Sequence, residues 1–435
     1  MILVSSFAVM LQEVAIAMTG PSFENFQIIT LGWTFARRRT VTGMLLAAGV
    51  ATRRHHAAFH RFFAQARWSL DDVGLAVFRL LEGLCDECIL VAIDDTLAHK
   101  RGLKMFGTGM HHDPQLSSRS HVVTNWGHCW VVLGVIVHLP LWPGRPLCLP
   151  ILFRLYLNKK RAQQERRAYR TKPELAVEML RLLCRHRQNR RFLAVADAAY
   201  GGQSVLANLP FNCDLTSRLR LDARLYEAPP PRTPGQKGRP RKRGPQLPTP
   251  EQMLDARARR IELQIYGRCE RARVAQTEAR VFALPERPLC VVVVEALCGG
   301  RGREAFYSTC VDATAEHVLT WYAQRWSIEV TFHEAKQHLG FEEPQGWTRR
   351  AVQRTAPMAM LLYSVIVSWY GQEGHKHYRA IERPWYPNKR HESFADMLAT
   401  LRRCSLRESI SAWAPTGPGS QKLLALLEQT LALAA

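Results

Sequence analysis

Two apolar runs that end in carboxylates constrain this chain more than any other feature. CILVAIDDT, Cys88 to Thr96, and FLAVAD, Phe192 to Asp197, each have the length and apolar content of a buried β-strand. A strand that stops at an acid holds that acid on a rigid support. Between them Pro173 to Arg187 carries apolar residues at helical spacing, so the pattern reads strand, helix, strand with an acid at two strand ends. Asp94 and Asp95 are adjacent, and neighbouring side chains on a strand point to opposite faces. Only one of the two can enter a site shared with Asp197. Taken singly, each run is equally well a strand followed by an aspartate-bearing turn. Further strands are expected at His128 to Leu139, Leu149 to Leu157, Asn212 to Tyr226, Leu289 to Ala296 and Phe306 to Val311.

A third carboxylate lies in a helical pattern, WYAQRWSIEVTFHEAKQHLG, Trp321 to Gly340. Read as one helix at about 100° per residue, Tyr322, Arg325, Glu329, His333 and Lys336 share a stripe. Beside it runs an apolar stripe of Trp321, Ile328, Phe332, Ala335 and Leu339. One face can pack on a core while the other presents a carboxylate between two cations and a phenol. Mixed charge is also what a plain solvated helix face carries. Trp326, just off the stripe, reads as a core residue, with stacking on a displaced base as the alternative.

Charge points to the partner. The 435 residues hold 59 Lys+Arg against 37 Asp+Glu, a net +22, which attracts polyanions and above all nucleic acid. A hydrophobic content of 47% supplies real cores and excludes a disordered polyelectrolyte. Arg37 to Ser69 reads as two short helices broken at Gly49, either a helix-turn-helix with Arg53 and Arg54 toward DNA or an ordinary helical bundle. Ala228 to Pro250 is Pro-rich and basic, so it should be an extended loop. Its KGRPRKRG resembles an AT-hook, with Arg239, Arg241, Lys242 and Arg243 as minor-groove contacts, although a plain linker fits as well. Ala356 to Tyr370 is the most apolar run; it is too short to span a bilayer and reads as a buried core helix. The eleven cysteines are scattered singly apart from one CxxC, Cys85 and Cys88, which suits reduced thiols in a cytoplasmic protein better than a zinc site.

The spacing Tyr322-x2-Arg325-x3-Glu329-x6-Lys336, together with DDT after one strand and ADAAY after another, resembles the DDE transposases of the bacterial insertion-sequence-four superfamily. DDTLAHKRGLKMFGTGMHHDP, NWGHCWVVLG, RLRLDARLYE, GRPRKRG and SFADMLATLRR are similar to one branch of that group, and the likeness runs from about Arg37 to the end. It implies an α/β, ribonuclease-H-like catalytic core of the retroviral-integrase type with a β-rich insertion domain and helical terminal parts. The implied division is 1–80 DNA-binding helices, 86–211 first core part, 212–312 insertion domain with the 228–250 loop, 313–372 second core part and 373–435 helical appendage. The resemblance makes Asp95 (the acid directly before Thr), Asp197 and Glu329 the catalytic ligands of two Mg²⁺ ions, with Mn²⁺ as a possible substitute and no protein nucleophile. Tyr322, Arg325 and Lys336 would position DNA phosphates. It further implies a nucleoid-associated protein of the bacterial cytoplasm that binds double-stranded element ends and target DNA as a homodimer. Such a protein binds terminal inverted repeats and moves its element by cutting and pasting, through a hairpin intermediate. Two other readings are a DNA-binding relative in which the acids are purely structural, and a ribonuclease-H-like nuclease.

The loop reading has a direct test. Deleting Gly235 to Gly244 should weaken binding to DNA ends and flatten the salt dependence by a few units, roughly one for each phosphate no longer neutralised. Binding titrations at several ionic strengths measure this, and an unchanged slope makes the segment a linker.

Overall fold

The computed structural model describes residues 1–113, 116–118, 120–232, 238–239, 241–265, 268–297, 302–379, 389, 391–413, 419, 422–423 and 426. Five helices open the chain: α1 Ser5–Gln12, α2 Gly20–Phe35, α3 Val41–Ala47, α4 His56–Ala64 and α5 Leu70–Leu81. Then come β1 Cys88–His99, β2 Gly109–His112, β3 Thr124–His138, β4 Pro146–Tyr156, α6 Lys159–Gln164, α7 Lys172–His186, β5 Arg191–Ala196, α8 Gln203–Leu206, β6 Cys213–Leu219 and β7 Leu225–Tyr226. The remainder is α9 Pro250–Arg257, β8 Arg259–Ile265, β9 Arg268–Val281, β10 Leu284–Ala296, β11 Glu304–Ser308, α10 Ala315–Gln324, α11 Trp326–Leu339, α12 Arg349–Gln372 and α13 Phe394–Trp413.

The strands join in one mixed sheet of order β2-β3-β1-β5-β6-β11-β10-β9-β7, with β4 paired to β3 and β8 to β9. β3 runs antiparallel to both β1 and β4, whereas β1, β5 and β6 are mutually parallel neighbours. Parallel strands need a crossover, and α7 supplies the one from the β1 side to β5. Its start is fixed by a capping box, in which Thr171 accepts from the Glu174 N–H and the Glu174 carboxylate accepts from the Thr171 N–H. The segment expected as a separate insertion domain is hydrogen-bonded into the same sheet, since β6 pairs with β5 on one side and with β11 on the other.

α12 is the spine of the packing. Nearly every residue from Ala351 to Tyr370 is buried, including Pro357 within the helix. It lies with α11 and α5 against β4. The N-terminal helices are tied, through α2 and the turn that follows it, to the helix that carries Glu329. The Trp33 indole donates to the Leu339 carbonyl at 2.8 Å, and Arg39 donates to the His338 carbonyl at 2.5 Å. α13 returns to the N-terminus, where Ser405 and Ser409 accept from the amides of Val4 and Ile2. The C-terminal run QKLLALLEQTLALA lies almost wholly outside the described residues. Among the described residues no helix is long and apolar enough to cross a membrane.

Close approach of α5 to β4 requires glycine at position 74, where a Cβ would stand 1.9 Å from the Ile151 carbonyl oxygen. Gly83, in contrast, has open space around it. Gly74→Ala should therefore cost about 1–3 kcal/mol of stability, as overpacking of a tight core does. Gly83→Ala should leave the thermal unfolding midpoint unchanged; equal midpoints for the two variants would contradict this packing.

Candidate active site

The parallel pairing of β1 with β5 sets the site. Ile93 lies opposite Ala196, so the next step along both strands brings Asp94 level with Asp197 on one face. Asp197 continues extended (φ −72°, ψ 177°) and its carboxylate accepts from the Ala199 N–H at 2.9 Å, which fixes its side chain at the strand end. Across the groove, Arg325 stands where two helices meet and bridges two acids. One Nη donates to Asp94 Oδ2 at 2.6 Å and the other to Glu329 Oε1 at 2.8 Å. Burial pushes the Asp94 carboxyl up to about 7, Arg325 opposes this, and the charges of Asp95 and Asp197 add to the rise. Burial works against the Arg325 charge, yet Asp94, Tyr322 and Glu329 hold its pKa above the ordinary arginine value.

Asp95 is not part of this cluster, and the expectation that it faces Asp197 and Glu329 is corrected. Its carboxylate points to the other face of the sheet. There it takes the Lys172 ammonium at 2.6 Å and the Tyr200 hydroxyl at 2.7 Å, with the Cys129 thiol at 3.5 Å. Strand alternation allowed only one of the two aspartates inward, and the β5 register selects Asp94. Lys172 and Tyr200 were not singled out from sequence. The available signal was the ADAAY stretch, whose tyrosine sits on the turn after Asp197.

The single helix expected over Trp321 to Gly340 is two. α10 and α11 meet at Arg325, where N–H to carbonyl bonds of the i to i−3 kind replace the α pattern: Arg325 to Tyr322, and Ile328 to Arg325. The Ser327 hydroxyl donates to the Gln324 carbonyl at 2.7 Å and takes up an acceptor that the helix would otherwise use. The break shifts the stripe. Trp326, expected in the core, is 53% exposed beside Arg325. α11 ends at Gly340, whose left-handed φ of 61° suits glycine.

The other residues singled out divide into engaged and free. Tyr322 is half-buried against Phe306, its ring 5.6 Å from the Arg325 guanidinium carbon. Lys336 is near Glu342 (3.8 Å), and burial lowers its pKa while Glu342 and Asp113 oppose that. Glu342 also receives His99, whose other ring nitrogen meets Asp113 at 2.8 Å, a cluster that the sequence pattern did not reveal. Arg53 is exposed, whereas Arg54 is paired with Glu24 and Asn25. α3 and α4 are two short helices with Gly49 at φ 70° after the first, as expected. Arg239, Arg241 and Lys242 are exposed, but Arg243 is folded back over Phe282, 3.7 Å from its centroid. It is therefore half-buried rather than a free contact. Lys237 and Pro240 of the same motif lie outside the described residues.

The donor chemistry of Asp94, Asp197 and Glu329 fits hard divalent cations, since all their ligating atoms are carboxylate oxygens. Among the described residues no group of three or more His, Cys, Asp or Glu is arranged to hold a metal ion, and in this conformation the Arg325 guanidinium supplies the positive charge between Asp94 and Glu329. The described cysteines, Cys85 and Cys88 included, are all free.

Comparisons with known proteins bear on the family of the chain. A family model described as DDE superfamily endonuclease matches residues 27–279, and the archaeal ISC1217 transposase model matches residues 249–368. No curated protein matches the chain. Among solved structures, a cryo-EM structure of a piggyBac transposase synaptic complex with hairpin DNA is similar at 11% identity and a TM-score of 0.42. That alignment covers 99% of this chain and 81% of that one.

Proposed function

The chain belongs to the DDE superfamily of endonucleases, whose family model spans more than half of it, and from that premise we propose that it is a DNA transposase that cuts and rejoins the ends of a mobile element. The observation that carries this reading is the alignment of Asp94 with Asp197 on neighbouring parallel strands, together with the Arg325 guanidinium that links Asp94 to Glu329. Three acids from two parallel strands and a helix suit phosphodiester chemistry. The arrangement β4-β3-β1-β5-β6, with β1, β5 and β6 parallel and β3 antiparallel, supports assigning a ribonuclease-H-like core. In this proposal the part of 212–312 that follows β6 is an insertion into that core, 1–80 and the 228–250 loop hold DNA, and two copies of the chain bring two ends together. Cutting and pasting through a hairpin, at terminal inverted repeats, is the specific route proposed.

Asp94, Asp197 and Glu329 would hold Mg²⁺, or Mn²⁺ in its place, and the bound ions would activate the attacking water or 3′-hydroxyl and stabilise the leaving oxygen. The protein's own groups prepare the site. Arg325 sits between Asp94 and Glu329 through hydrogen bonds of 2.6 and 2.8 Å. A DNA phosphate offers the guanidinium a two-pronged partner, so an incoming strand draws Arg325 away and frees both carboxylates. Tyr322, against the same guanidinium, steadies it, and Lys336 neutralises the strand beyond Glu329. On the opposite face, Lys172 and Tyr200 grip Asp95 and keep β1 rigid under Asp94.

Asp94→Asn and Asp95→Asn separate the two aspartates. With a labelled duplex end and Mg²⁺, Asp94→Asn should lower cleavage at least about a hundredfold and keep DNA binding, because binding rests on distributed positive charge. Asp95→Asn should retain cleavage at low temperature but lose on the order of 1–3 kcal/mol of stability, since Lys172 is left half-buried without its carboxylate. Cleavage abolished by Asp95→Asn in a protein of wild-type stability would overturn the choice of Asp94. If the wild type binds the end but never cuts, the reading as a non-enzymatic relative replaces the one proposed.

A further inference from the structure

A large cleft among the described residues lies away from the acids. It encloses about 1020 Å³ beside the edge strand β4 and is walled by the first turns of α5 and α12, by the start of α7 and by the segment before it. None of Asp94, Asp197 or Glu329 lines it. Six arginines do: Arg154, Arg167, Arg170, Arg349, Arg350 and Arg354, against two acids, Asp71 and Glu178. The acids are already taken. Arg154 holds Asp71 with two hydrogen bonds, at 2.7 and 2.9 Å, and shares Glu178 with Arg170. Arg354 gives its N–H groups to the carbonyls of Phe63, Ala66 and Trp68 and lies 4.3 Å over the Trp68 ring.

Arg167, Arg349 and Arg350 have no side-chain hydrogen bond or ion pair among the described residues, and all three are exposed to the cavity mouth or solvent. Their charges work against one another. Burial lowers the Arg349 pKa, and Arg167 and Arg350 lower it further. The backbone adds to this excess. α12 is 24 residues long, its Thr348 cap makes no side-chain hydrogen bond and its first turn holds no acid. The free N–H groups of that turn and the positive end of the helix dipole therefore face the same arginines, an arrangement that a bound anion relieves. In the wall the Trp130 indole N–H, almost fully buried, has no acceptor among the described residues.

We propose that this cavity is a second nucleic-acid site, which takes the phosphates of a single DNA strand through Arg167, Arg349, Arg350 and the first turn of α12. The proposal rests on the reading of the chain as a DNA-processing protein. Volume favours a strand over a free phosphate ion, because about 300–1,000 Å³ already accommodates ligands of drug size. The lining favours one strand over two, because the unpaired arginines, Arg167, Arg349 and Arg350, cluster at one mouth beside the first turn of α12 rather than along an extended track. α7 connects the sites, since Glu178 lines the cavity and Lys172, less than two turns earlier, holds Asp95 behind the acids. A strand separated from its complement near the cut thus has a place to be held.

The test compares wild type with Arg167→Ala/Arg349→Ala/Arg350→Ala, using fluorescence anisotropy with a labelled single-stranded oligonucleotide and a labelled duplex end at several salt concentrations. The triple variant should bind the single strand about tenfold or more weakly, with a salt slope smaller by about two (roughly 0.7 for each phosphate engaged), and bind the duplex end nearly as before. Arg349→Lys/Arg350→Lys should retain most of the single-strand affinity. If the triple variant fails to fold, Arg167→Gln alone should show a proportionate loss. Unchanged single-strand affinity and slope, or equal losses for both DNAs, would overturn the site. Saturable binding of a nucleoside triphosphate that displaces the oligonucleotide would replace the strand with a free nucleotide as occupant. Absence of any DNA binding by wild type would instead sink the underlying functional reading.

Discussion

The parallel pairing of β1 and β5 is the constraint on which the rest depends. It aligns Ile93 with Ala196, and the step after it brings two carboxylates from positions 94 and 197 side by side. Like charges so placed are unfavourable unless something positive answers them, and Arg325 does so from the junction of α10 and α11. Charge-assisted hydrogen bonds of this kind contribute about 1.5–3 kcal/mol each when well formed, enough to hold β1 and α11 in one arrangement. The helix break at Arg325 is part of this arrangement, because it lets one guanidinium reach both β1 and the first turn of α11.

The two faces of β1 do different work. On one, Asp94 stands level with Asp197 and shares the Arg325 guanidinium with Glu329. On the other, Asp95 is held by Lys172, Tyr200 and Cys129, so the strand is anchored from behind at the point where the acid is presented. Adjacent acids with separate tasks are a natural outcome of strand geometry, in which every one-residue step changes the face. The N-terminal helices extend the support, since Trp33 and Arg39 grip the end of α11 through the carbonyls of Leu339 and His338.

Much of this was legible from residues alone, wherever a segment is apolar and its partner is near in sequence. β1, β3, β4, β5, α7, β10 and α12 all stand where their patterns put them, within a few residues. β8 and β9 did not stand out, because RRIELQI and RCERARVAQTEARV carry their few apolar residues, such as Leu263 and Val274, among arginines and glutamates on an exposed face. The choice between Asp94 and Asp95 was narrowed by alternation to one residue, but selecting it needed the register with a strand one hundred residues away. The resemblance pointed to the neighbour. The break at Arg325 escaped because helical periodicity is blind to one Ser327 hydroxyl taking a carbonyl. The arginine cavity escaped for a simpler reason, as its walls come from stretches near residues 64–71, 153–178 and 348–354.

The central claim is that Asp94, Asp197 and Glu329 form one metal-binding site once Arg325 is drawn off by DNA. Anomalous diffraction from crystals of the chain with a DNA end and Mn²⁺ tests it most directly. The account predicts manganese peaks among those three carboxylates, with the Arg325 guanidinium moved onto a phosphate and Asp95 still bound to Lys172. Peaks at Asp95, or a groove in which Arg325 still bridges Asp94 and Glu329 with DNA in place, would contradict it.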